Sequence, residues 1–345
     1  MEVVRAPRLR IPVPSRVVAP VPSSTPVRGA GVAVSSAARL RRRIGDFGFR
    51  ATALGFALSV FVITGLIALS LVRTSWRSVV TFGWSFLWTS TWDPVFEHFG
   101  ALPFIYGTLM SSAIALLFAV PIGVGAAICL AELLPQRLAD PLTFLVELLV
   151  AVPSVIYGLV GVFVLVPVVR TLGNAAQPLI GFLPIFRGPV YGVGLLTAGI
   201  VLAVMIVPFV ISISREVLLA VPQTQRDAAL ALGATRWETI QGVVLPFARS
   251  GIFGAVFLAL ARALGETMAV TMVIGNRPEI AASLFAPAYT MPAVLANEFA
   301  EATSDVYLAA LMEIGLVLFC ITVIINGVAR LLVMNVQRNT AGAAE

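Results

Sequence analysis

The stretch VPQTQRDAALALGATRWETIQGVVLPFARSGI, Val221 to Ile252, decides the fold. It is a polar interlude in a 345-residue chain that is 59% hydrophobic and only 12% charged. Gln225 to Leu232 reads as a short helix. Gly233, with no Cβ to clash, can end it in a left-handed turn. A second helical run is expected from Thr235 to Val244, with Trp237, Ile240 and Val244 at i, i+3, i+7 spacing. Pro246 should break that pattern and start the return into apolar sequence. The expectation is a helix–turn–helix presented on a membrane surface.

The flanks of this hairpin, and most of the remaining chain, are greasy enough to cross a bilayer. Spans are expected at 51–73, 105–130, 141–169, 191–214, 251–274 and 306–330. Each holds about 20 or more mostly apolar residues, enough for the hydrocarbon core. Runs of this length favour helices over the short alternating strands of a barrel. The fold class is therefore an all-α membrane protein with six transmembrane helices. Pro121 should bend the second span, and Pro153 and Pro167 should kink the third or leave it partly re-entrant.

Arginine placement orients the spans. Ten arginines precede the first span; Arg137, Arg215, Arg226, Arg236, Arg249, Arg330 and Arg338 fall on the same side. Arg73, Arg77, Arg170, Arg187 and Arg277 fall on the other. The richer side should be cytoplasmic, with both termini inside. Residues 1–50, rich in Pro, Arg, Ser and Val, are expected to be a mostly disordered tail, too long before its first apolar run for a cleaved signal peptide. Arg39 to Arg50 can touch anionic membrane lipid or simply enforce orientation. Residues 51–335 make the membrane domain, with 215–250 as its longest inner loop and 336–345 as a C-terminal tail. Trp84, Trp88 and Trp92, spaced four apart, would line one helical face, either at the outer interface or toward an outside partner.

Composition also excludes. Every basic residue is arginine; the chain has no lysine. A GxxxxGK[ST] nucleotide loop and Schiff-base chemistry both need one. His98 is the single histidine, and Cys129 and Cys320 lie apart from any CxxC pattern. No zinc site, disulfide framework or nucleophile–base cluster is expected, and neither is a nucleic-acid partner. The chain reads as a transport subunit without catalytic residues, cofactor or metal of its own.

Two charges contradict the apolar background. In LARALGETMAVTMVIG, Leu260 to Gly275, Arg262 and Glu266 are four apart and would share one helix face. A charge at bilayer centre costs about 2.5–3.5 kcal/mol on insertion scales. Such charges survive facing a wet cavity or each other. An arginine fork pairs bidentately with a tetrahedral oxyanion, and Glu266 can hold the fork and soften its grip. Thr267 and Thr271 can add hydroxyl donors. The competing reading is a self-neutralised pair that only packs helices. Glu147, another acid within a span, either lines a cavity beside the Pro153 break or pairs with Arg262.

The opening hairpin resembles the EAA loop of ABC-importer permeases. That pattern is Glu-Ala-Ala, three residues, Gly, nine residues, Ile, one residue, Leu-Pro. Here it reads Asp227-Ala228-Ala229, Gly233, Val243 and Leu245-Pro246, with Asp for Glu and Val for Ile as the departures. FGALPFIYGTLMSSAIAL (Phe99 to Leu116), PIGVGAAICLAE (Pro121 to Glu132), ELLVAVPSVIYGLVG (Glu147 to Gly161) and ARALGETMAVTMVIGN (Ala261 to Asn276) resemble the phosphate-specific branch, of the PstC type. The resemblance runs from about residue 50 to 335.

It implies a type I importer permease fold in a prokaryotic cytoplasmic membrane. It implies docking of the hairpin helix into an ATP-hydrolysing subunit, and a passage role for Arg262 and Glu266. The implied partners are a homologous PstA-like permease, a PstB-like ATPase dimer carrying ATP and Mg, and a PstS-like extracytoplasmic phosphate-binding protein. A permease for sulfate or molybdate, or a solitary ion-coupled carrier, are the alternatives.

Overall fold

The structure is a computed structural model that describes residues 36–341, with side chains from 48 to 334. Most of the expected N-terminal tail, 1–35, and the last residues, 342–345, lie outside the described residues. The described residues divide into two units between Val62 and Ile63. Among the described residues there are helices and two isolated bridges but no strand.

Helix α1 runs Ser36–Phe82, so residues 36–50 are helical where a disordered tail is expected. No proline interrupts that stretch, and its arginines and alanines favour helix. Then follow α2 (Leu102–Ile128), α3 (Gln136–Val150), α4 (Ser154–Val160), α5 (Val166–Ile180) and α6 (Leu195–Leu219). The hairpin holds α7 (Gln223–Ala231) and α8 (Arg236–Thr239), and the chain returns through α9 (Leu245–Leu264), α10 (Met268–Ile274), α11 (Met291–Glu298) and α12 (Asp305–Ala341). Helix α12 thus continues into the stretch expected to be a tail. Among the described residues, six runs are long and apolar enough to cross a membrane: Gly48–Leu87, Leu102–Leu133, Ser154–Ile180, Leu195–Leu219, Arg236–Leu264 and Asp305–Met334.

The third and fifth spans differ from expectation. Residues 141–169 are not one helix: α3 stops at Val150, and α4 starts after Pro153, whose ring cannot continue the preceding turn. The Tyr157 hydroxyl crosses the break and donates to the Leu149 carbonyl at 2.8 Å. Residues 251–274 are not one helix either; α9 ends at Leu264 and α10 begins at Met268. Pro246, by contrast, breaks nothing. Ile240–Val244 form a widened π turn, and Pro246 sits in the first turn of α9, where its missing N–H does no harm.

Helix α6 is the hub, with α2 along it. Gly199 lies against Ile114 and Gly123 against Val210, so closely that a Cβ at either position would stand 2.4 and 2.7 Å from the neighbouring side chain. Around this pair a middle cluster (Ile114, Leu202, Ile206, Val270, Val273) joins one at the hairpin end (Leu130, Leu218, Val221, Val244). A separate aromatic cluster packs Phe86, Phe99, Phe104, Tyr289 and Tyr307. Burial pushes the Tyr289 phenol upward, so it stays neutral.

Trp92 packs against this aromatic cluster. Its ring lies 4.8 Å from both Phe99 and Phe104, and its indole N–H donates to Glu298 Oε2 at 2.8 Å. Trp84 and Trp88 are exposed. The expected single tryptophan face is absent because α1 ends at Phe82 and Gly83 takes φ +56.

Gly199→Val should overpack the α2–α6 contact by about 1–3 kcal/mol. Thermal unfolding in detergent should show a lowered midpoint, whereas Gly125→Ala, whose Cβ meets nothing within 4 Å, should not.

Candidate functional site

The hairpin is a locally determined turn. Pro222 is extended and precedes α7. At the other end Gly233 adopts φ +89, its N–H reaching the Leu230 carbonyl at 3.0 Å while the Ala234 N–H reaches that of Ala229 at 3.2 Å. This is a Schellman closure, and only glycine takes that φ without strain. One residue later Thr235 caps α8. Its Oγ1 accepts the Glu238 N–H at 3.3 Å, and its own N–H donates to Glu238 Oε2 at 2.7 Å. A glycine closure followed at once by a capping box fixes the angle between α7 and α8.

The expected coupling residues divide by exposure. Asp227, Ala228, Gly233 and Pro246 are exposed, while Ala229, Val243 and Leu245 are half-buried. Asp227 accepts from Gln223 Nε2 at 3.3 Å. Ile240 and Val244 are buried, but Trp237 is exposed and joins Leu232 on the open surface. The surface left for another molecule is thus α7 with Leu232 and Trp237 beside it.

Two residues whose contact the sequence does not announce anchor this module. Arg226 Nη2 donates to Glu132 Oε1 at 2.7 Å and to the Leu218 carbonyl at 2.8 Å; its Nη1 donates to the Val221 carbonyl. Glu132 lies in the π turn Cys129–Leu133 that ends α2. The partners stand 94 positions apart, so no local spacing reveals them.

The second candidate region is the helix break. Arg262 is in the last turn of α9, where carbonyls lacking helical partners favour a cation. Its guanidinium carbon stands 5.4 Å from the centroid of the Phe209 ring of α6, a cation–π contact. Glu266 lies in the non-helical link, and its Oε1 accepts the Ala269 N–H at 3.3 Å, capping α10.

Arg262 and Glu266 therefore do not share one continuous helix face, and among the described residues no ion pair joins them. Gly265, with low helix propensity, is the local signal for the break. Both side chains are half-buried. The Thr267 hydroxyl donates to the Gly265 carbonyl at 3.3 Å and the Thr271 hydroxyl to that of Thr267 at 2.7 Å. Donation from either to an anion requires rotation away from those carbonyls.

The two breaks are neighbours, because α4 packs on α10. A Cβ on Gly158 would meet Met272 Sδ at 2.6 Å and Ala269 Cα at 3.1 Å. Glu147 is exposed on α3 and makes no ion pair with Arg262.

Among the described residues, six membrane-length helices, a helix break that holds Arg262 and Glu266 at its edges, and a closed surface hairpin define a polytopic transport subunit. The profile of the binding-protein-dependent transport system inner membrane component family matches residues 119–338, and the chain belongs to that family. It is 49% identical to the phosphate transport system permease protein PstC of Mesorhizobium japonicum, over 85% of this chain and 91% of the relative. It is 45% identical to the Pasteurella multocida protein of the same name, over 87% and 95%. A crystal structure of a bacterial ABC transporter involved in the import of the acidic polysaccharide alginate shares the fold. Its TM-score is 0.55 at 18% identity, over 85% of this chain and 98% of that one. The protein is thus a multi-pass inner-membrane protein of bacteria with an ABC-importer permease fold.

Gly233→Val would force a β-branched residue into a left-handed turn at about 1–3 kcal/mol of strain. The membrane helices should persist by circular dichroism, while amide exchange across 223–239 should accelerate.

Proposed function

We propose that this chain is a permease subunit of an ATP-driven phosphate importer. Helix α7 couples it to an ATPase, and Arg262 and Glu266 attend the anion's passage. The observation that carries the substrate is the 49% identity to a phosphate transport permease over most of both chains. The Schellman-closed hairpin, with Asp227 and Ala228 on its open surface, supports the docking role. The helix break supports the passage role. Arg262 has a ring rather than a carboxylate as its partner, which leaves guanidinium N–H groups for an oxyanion. The cation–π contact, worth about 0.5–2 kcal/mol, holds the side chain without neutralising it. Glu266 sits four residues on and keeps the local field from becoming a permanent anion trap.

On this reading both termini and the hairpin are cytoplasmic, as the arginine bias requires. The pathway forms with a homologous PstA-like permease. A PstB-like ATPase dimer binds ATP and Mg below, and a PstS-like binding protein delivers phosphate from outside. No nucleotide is bound by this chain, which has no lysine for a phosphate-cradling loop.

Arg262→Gln should leave the complex assembled and its ATPase active, while phosphate uptake in proteoliposomes falls by at least ten-fold. Uptake at the wild-type rate in that assembled complex would remove Arg262 from the passage. Uptake by the purified chain alone would remove the importer reading.

A further inference from the structure

We propose that Arg226 and Glu132 are positioning residues for energy coupling: a strut that makes α7, α6 and the inner end of α2 shift as one body. The inference rests on the importer reading above and says how its stroke reaches the membrane.

Helix α7 is the part of the hairpin most open to a partner, yet none of its nine residues is buried. An amphipathic surface helix is ordinarily held down by an apolar stripe. Helix α7 has no such stripe inserted in the core, so pressure on it would be absorbed unless something else ties it down. Arg226 is the residue of α7 that reaches inward. Its side chain is 12% exposed and that of Glu132 11%, so the pair sits in a poorly screened environment. It also binds three acceptors on two sides. Leu218 and Val221 offer carbonyls at and just beyond the C-terminal end of α6, where a cation also meets the favourable helix dipole. Glu132 belongs to the end of α2.

A planar fork serves several acceptors at once; an ammonium on a flexible stem does so poorly. Helices α2 and α6 are themselves locked by the Gly199–Ile114 and Gly123–Val210 contacts. Displacement of α7 is thereby passed to both helices through one guanidinium. The polar cleft beneath α7, bounded by Glu132, Arg226, Arg236 and Thr239, is spanned by this pair.

The test uses the whole importer, this chain with its partner permease and ATPase, in proteoliposomes with the phosphate-binding protein. Phosphate taken up per ATP hydrolysed is measured alongside retention of the ATPase. Arg226→Gln should keep the ATPase bound and hydrolysing but lower uptake per ATP at least five-fold, and Arg226→Lys should recover part of it. Glu132→Asp, which keeps the charge and shortens the arm, should lie between. A wild-type ratio in Arg226→Gln overturns the proposal. Loss of the ATPase from the Arg226→Gln and Glu132→Asp complexes alike also overturns it, since the pair would then serve docking. Should Arg226→Gln fail to accumulate, a wild-type ratio in Glu132→Asp overturns it on its own. A wild-type complex that moves no phosphate strikes the importer reading instead.

Discussion

Apolar surroundings offer no hydrogen bonds, so backbone groups freed where a helix stops among packed apolar helices must find partners within the protein. This chain interrupts two helices, at 151–153 and at 265–267, and sets the interruptions side by side. At the first, a tyrosine hydroxyl reaches back to the Leu149 carbonyl. At the second, Glu266 accepts an amide and Thr267 donates to the carbonyl of Gly265. The small residues Gly158 and Ala269 let α4 and α10 touch, which brings the breaks together. The same arrangement explains two charges in a greasy segment. Arg262 stands where a helix ends, Glu266 where the next begins, and each is favoured there for reasons that an unbroken helix would not supply.

What was legible in the sequence was local. Gly233 signalled its own left-handed turn, and the apolar runs announced six crossings with errors at their ends. Pro153 marked the break of the third span, because proline acts on the turn that contains it. The fifth span offered Gly265, but Gly251 and Gly254 stay helical in α9, so glycine alone did not mark the break and periodicity carried the expected helix straight through to Ile274. Placing Arg262 and Glu266 on one face was the consequence: spacing of four implies a shared face only while the helix continues. Pro246 misled in the opposite direction. Its effect depends on whether it falls in a first turn, and a π turn upstream placed it there.

Contacts between distant residues were not legible at all. Trp92 looks like a member of a tryptophan row, yet it turns inward because a carboxylate on α11 accepts its N–H and aromatic rings receive its faces. Arg226 adjoins the motif that identified the hairpin, but nothing in its neighbourhood names Glu132. The family resemblance covers both residues and says nothing of their pairing; that required coordinates.

The mechanics follow from where helix α6 touches each region. Its C-terminal end supplies the Leu218 carbonyl to the arginine of the hairpin, and Phe209, farther along, carries the guanidinium of Arg262. Pro208 lies inside α6, immediately before Phe209. A proline within a helix removes one backbone hydrogen bond and weakens the helix against bending at that point. The half of α6 beyond Pro208, fixed to α2 by the Gly123–Val210 contact and to α7 by a charged fork, is therefore a stiff arm whose weakest joint is beside Arg262. Helix α9 is the less direct route, since the π turn at Ile240–Val244 lies between the hairpin and its arginine. On the proposed reading a push on α7 moves this arm, which carries Phe209. It alters the aromatic face on which Arg262 rests, without requiring the helix that bears Arg262 to transmit the stroke.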